Sequence, residues 1–81
     1  MQQKIQFSDE ELAEVFEYLD ELRVSGVTNM WGAGRFVEAS QGWNEDKSGK
    51  ALLMWMKVYS RDKPMTQMVK EAQVLLANEA P

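Results

Sequence analysis

Ser25-Gly26-Val27-Thr28-Asn29-Met30-Trp31-Gly32-Ala33-Gly34 decides how this chain folds. Gly26 reads as a helix stop, because glycine enters the left-handed conformation that ends many helices without a Cβ penalty. Val27 then stands where it can contact Leu22 in a Schellman arrangement. Thr28 is a favourable N-cap for a second helix starting at Asn29. So short a connection predicts two helices meeting at a sharp angle, with Met30 and Trp31 anchoring the corner. Gly32 and Gly34 each cost roughly 1 kcal/mol against alanine in a helix interior. Close approach of another helix backbone is the expected compensation.

Upstream of this corner the pattern is one helix, residues 9–25. Ser8 and Glu11 have the spacing of a capping box, and Phe7 and Leu12 that of a hydrophobic staple. Asp9, Glu10 and Glu11 fill the first turn, where the helix dipole favours negative charge. Leu12, Val15, Phe16, Leu19 and Leu22 recur at helical spacing, while Glu10, Glu14, Glu17 and Glu21 lie on other faces. Residues 1–7 read as loosely ordered, with Ile5 and Phe7 tucked under the helix.

Downstream, Met30, Ala33 and Val37 share a face of a helix over about 29–41 that ends at Gly42. A polar turn containing Trp43 follows, and Asn44, Asp46 or Ser48 can cap a third helix over about 48–60. Leu52, Trp55, Met56 and Tyr59 form one stripe of it; Ala51, Met54 and Val58 form another. A helix apolar on most of its circumference is either central to a fold or carries a second contact surface. Arg61-Asp62-Lys63-Pro64 breaks the chain, with Pro64 near the first position of the next helix. Met65, Met68, Val69, Ala72, Leu75 and Leu76 stripe a fourth, amphipathic helix over about 64–78. The expected fold is all-α: a three-helix core plus this fourth helix, in one domain spanning residues 1–81.

Composition bounds the function. Eighty-one residues bury only about 60–65% of the surface exposed on unfolding. A stability on the order of 5 kcal/mol is therefore expected. The chain has no cysteine and no histidine. Thiolate metal sites and disulfides are excluded, and so is the commonest general acid or base. No metal site, cofactor site or catalytic residue is expected, and the chain reads as a non-enzyme. The first six residues do not resemble a signal peptide, and the apolar run Ala51–Met56 is too short to cross a bilayer. The chain reads as cytoplasmic.

Charge is unevenly spread. Residues 1–25 carry seven acids against Lys4 and Arg23, a balance of −5, while the remainder is +1, for −4 in all. The acidic face of the first helix reads as a solvated surface. A negative half argues against duplex DNA as partner, since phosphate contacts supply most non-specific affinity. The glycine stretch has neither phosphate-loop spacing nor a preceding strand.

Six methionines and three tryptophans exceed what so small a core requires. Met, Trp and Tyr also build adaptable interfaces. Trp55, Met56, Tyr59, Met65 and Met68 are therefore the candidate contact residues for a protein partner. That partner is a different protein or a second copy docking through the fourth helix. The competing reading is nucleic-acid binding through Arg35, Lys47, Lys50, Lys57 and Arg61, around a helix-turn-helix-like segment. Its third helix is apolar where base-reading side chains belong, and its turn is too long.

The run Leu19-Asp20-Glu21-Leu22-Arg23-Val24-Ser25-Gly26-Val27-Thr28-Asn29-Met30-Trp31-Gly32-Ala33 resembles small bacteriophage and prophage proteins. These carry a Leu-Arg-x-Ser-Gly-x-Thr-Asn-Met-aromatic-Gly-Ala signature. Trp55-Met56-Lys57 followed by Ser60-Arg61 is similar to a segment that follows in them. The resemblance covers about a fifth of the chain and implies a viral source with an accessory role in the host cytoplasm. It transfers no activity and no site residues. The expectation is a non-catalytic protein-interaction module.

Overall fold

Ser8 starts the first helix in the manner its spacing requires. Its Oγ accepts the Glu11 N–H at 3.0 Å, and its own N–H donates to Glu11 Oε1 at 2.9 Å. The computed structural model describes residues 5–26, 29 and 32–79. Within them lie four helices and no strand: α1 (Asp9–Ser25), α2 (Gly34–Gln41), α3 (Glu45–Val58) and α4 (Met65–Ala77). The fold is all-α, and no helix among the described residues is long and apolar enough to cross a membrane.

α1 ends at Gly26, whose φ of 70° is left-handed and whose N–H donates to the Leu22 carbonyl. Val27, Thr28, Met30 and Trp31 lie outside the described residues. The cap assigned to Thr28 and the core anchors assigned to Met30 and Trp31 therefore fall there too. α2 starts at Gly34 rather than Asn29. The Asn29 side-chain oxygen takes the Gly32 N–H at 2.8 Å, and its carbonyl lies 3.1 Å from the same group. The same acceptance from three residues on caps α1 at Ser8 and α3 at Asn44, but α2 itself is entered from Ala33, which offers no side-chain cap. The close backbone approach expected at Gly34 is corrected: an added Cβ there would meet nothing within 4 Å.

Gly42 ends α2 in the left-handed region, and Asn44, one of three candidates, caps α3 by accepting the Lys47 N–H at 2.8 Å. α3 therefore begins three residues earlier than the expected 48. Ser48 falls inside it and is fully buried. Pro64 occupies the N-cap position of α4, its carbonyl accepting from Gln67 and Met68.

α3 is the central element. Trp55 is its largest buried side chain, with Phe16 of α1 at a ring separation of 5.6 Å and Tyr59 at 4.6 Å. α1 contributes Leu12, Val15, Phe16, Leu19 and Leu22 to the core, and α2 contributes Val37. α4 packs along both α1 and α3, burying Met68, Val69, Ala72 and Leu76. Burying the Met68, Val69 and Leu76 side chains is worth about 1.5–3 kcal/mol each, which holds α4 on the core. The Cα radius of gyration, 12.1 Å, is close to the roughly 12 Å of a compact chain this long.

Of Ile5 and Phe7, the pair expected under α1, Phe7 is buried and Ile5 half-buried, and the contacts of Phe7 run to α4 and to the turn before α3. The Gln73 side-chain amide of α4 donates to the Phe7 carbonyl at 2.8 Å and to Asp9 Oδ1 at 3.0 Å. Lys47 lies over the Phe7 and Trp43 rings, 5.3 and 4.7 Å from their centroids, and pairs with Glu11 at 3.0 Å.

Candidate interaction surface

The α3–α4 hairpin is fixed at its turn by one side chain. Lys63 Nζ donates to the Val58 carbonyl at 2.9 Å and to Glu71 Oε1 at 2.7 Å. It thereby satisfies a carbonyl at the C-terminus of α3, where positive charge also suits the helix dipole. At the opposite end of the hairpin Lys50 pairs with Glu79. Glu71 also accepts from Gln67 at 2.9 Å. The Lys63 ammonium, then the Gln67 amide, hold the Glu71 carboxyl below the ordinary carboxylate value. The Ser8 N–H, then the Lys47 ammonium, do the same for Glu11.

One side of this hairpin is covered by α1. Away from it runs an open groove of about 920 Å³, floored by Val58, Pro64, Val74 and Leu75 and edged by Lys57 and Lys70. Val74 is 55% exposed and Leu75 36%. Leu53, 43% exposed, lies one helical turn from Lys57 on the same face of α3. Glu71 also lines the groove, but Lys63 and Gln67 already hold it. Lys57 and Lys70 are exposed and make no ion pair among the described residues. The groove is therefore a positive place on a chain of net charge −4.

The five residues expected at a contact surface divide. Trp55 is 2% exposed and Met68 4%; both are core residues, and placing them on the surface is corrected. α2 and α4 both pack on α3, and its second stripe, Ala51, Met54 and Val58, faces protein rather than solvent. Met56, Tyr59 and Met65 are half-buried and pack against the core edge. Tyr59 also carries the Arg23 guanidinium, 5.1 Å from its ring centroid.

The five basic residues do not act as a set. Lys47 and Lys50 are tied to Glu11 and Glu79. Arg35, Lys57 and Arg61 are exposed, Arg35 on α2, Lys57 on the last turn of α3 and Arg61 in the turn that follows. Among the described residues no group of three or more His, Cys, Asp or Glu is placed to hold a metal ion.

Sequence reasoning did not single out Val74 or Leu53 as surface features and assigned Leu75 to the buried stripe. The signal was present in Val74-Leu75-Leu76, an apolar run wider than one helix face can bury against two neighbours. Leu53 likewise belongs to neither stripe of α3. No protein-family model, curated protein or solved structure matches the chain.

Proposed function

We propose that this chain is a non-catalytic protein-interaction module and that its contact surface is the α3–α4 groove. The observation that carries this is the exposure of Val74 and Leu75 within a concave seam between two helices. Scattered surface leucines are ordinary. Two adjacent apolar side chains on the floor of a groove form the kind of site that helical partners fill. Half-buried Met65, on the first turn of α4, adds an adaptable apolar side chain to the same hairpin. The signature at residues 19–33 supports an accessory role on a host or viral protein. Nucleic-acid binding is the weaker reading, because Lys47 and Lys50 are neutralised within the fold.

Photo-crosslinking tests the proposal. A benzoylphenylalanine at Val74 in the full chain, expressed in its producing cell, is expected to give a discrete protein adduct. The same group at Glu17, on the outward face of α1, is expected to give none. Identical adduct patterns from both positions, or none from Val74, overturn the proposal.

A further inference from the structure

We infer that the α3–α4 groove takes an acidic amphipathic helix from a different protein. This rests on reading the groove as a protein-binding surface, and it adds the shape and charge of the occupant. The shape follows from the hairpin. Two antiparallel helices present two seams, and α1 already lies along one of them. A third helix packs into such a seam by the same ridge-and-groove geometry. A helix also satisfies its own backbone hydrogen bonds, whereas a peptide that binds by strand addition needs a sheet edge, and no strand exists among the described residues.

The charge follows from what is left unpaired. Lys57 and Lys70 edge the apolar floor without an acidic partner among the described residues, and Glu71 is already engaged by Lys63. An occupant with apolar residues on one face and carboxylates beside them completes both kinds of contact. α1 on the far side has that composition: a buried apolar stripe bordered by exposed glutamates.

A second copy fits less well. Its exposed acids Glu10, Glu14, Glu17 and Glu21 lie on a helix whose one exposed large apolar residue is Val24. Docking α1 of one copy into the groove of the next is also a head-to-tail contact, which closes only for special rotations.

The test uses two side-chain-stapled helical peptides of the length of α4, 13 residues. Both carry leucines at i, i+3, i+4 and i+7, flanked in one by glutamate and in the other by lysine. Binding to the full chain is measured by fluorescence anisotropy and mapped by amide NMR shifts. The glutamate peptide is expected to bind on the order of tenfold tighter than the lysine peptide, two exposed ion pairs being worth that much. Its shifts should centre on Lys57, Lys70, Val74 and Leu75. The Lys57→Gln/Lys70→Gln double variant, checked for unchanged helicity, should abolish the preference, and Lys57→Glu/Lys70→Glu should invert it. Equal binding of both peptides, an unchanged preference in the double variants, or no binding of the glutamate peptide at millimolar concentration overturns the inference. Each of these leaves an adduct at Val74 standing, so the two failures are distinguishable. Concentration-dependent mass in light scattering that Leu75→Glu removes also overturns it, in favour of a second copy.

Discussion

Lys63 Nζ lies 2.7 Å from Glu71 Oε1, so a turn residue is fastened to the second turn of the helix it introduces. The same nitrogen holds the last carbonyl of α3. Replacing Lys63 by methionine keeps the aliphatic stem and removes all of these bonds. The expected result is a lower urea midpoint with an unchanged slope, since the denatured state and the core are untouched. Chemical denaturation followed by circular dichroism checks it.

Acid should weaken the fold through Glu11 and Glu71. Both carboxyls titrate below the ordinary value of 4.5 in the folded chain. Their stabilising contribution is therefore complete above pH 4.5 and is lost as pH falls through the lowered folded values, where the unfolded chain already binds more protons. Urea midpoints measured across that window should fall with pH. The Glu11→Gln/Glu71→Gln variant should show a flatter acid limb, because glutamine keeps the capping geometry but does not titrate.

Trp55 is the largest buried side chain of the chain's described residues and packs on Phe16 of α1. Trp55→Ala is expected to cost about 3–5 kcal/mol, comparable to the whole stability of a domain this small. Far-UV circular dichroism of the variant should show a largely unfolded chain at room temperature, while Trp55→Phe should remain folded with a lowered melting temperature. A folded Trp55→Ala protein would contradict the central position of this side chain.

The Ser48 hydroxyl is fully buried and has no hydrogen-bond partner among the described residues. A buried hydroxyl without a partner carries a desolvation cost of about 1–3 kcal/mol. Ser48→Ala is therefore expected to stabilise the chain by about 1 kcal/mol, raising the melting temperature by roughly 4–8 °C. Calorimetry reads this directly, and a lowered melting temperature would refute it.

Two glycines should respond oppositely to the same change. Gly49 lies inside α3 with open space around its Cα, so Gly49→Ala should stabilise by about 1 kcal/mol through helix propensity. Gly42 has a φ of 70°, and alanine there should cost about 1 kcal/mol despite equally open surroundings. Paired urea titrations of the two variants separate conformational strain from crowding.

These responses also explain what could be read before the structure. α1 was legible to the residue because its signals are local: a reciprocal cap, a staple, a dipole-matched first turn and a terminal glycine all act within one or two turns. α2 was legible only at its end. Its start, entered from Ala33 without a side-chain cap, carries no capping signal to read, whereas Gly42 marks its end. The contact residues failed for a different reason. Trp55 and Met68 have the composition of an interface, but a helix apolar all round does not reveal which other elements cover it. α1, α2 and α4 together supply that cover, and the apolar surface left exposed on α3 and α4 is Leu53, Val74 and Leu75. The charge of the groove was hidden too, because it depends on which lysines find partners across 8 or 29 positions of chain.

The Gln73 amide, which holds both Phe7 and Asp9, has a consequence for how α4 moves. Together with Lys63 at one end of the helix and Lys50 at the other, it ties α4 to the start of the chain and to both ends of α3. α4 then has no way to peel off alone. Its central amides should exchange with solvent only when the whole domain opens, at the same free energy as those of α1. A seam built on such a helix is present before anything enters it, so an incoming ligand gives up none of its binding energy to shape the surface it meets.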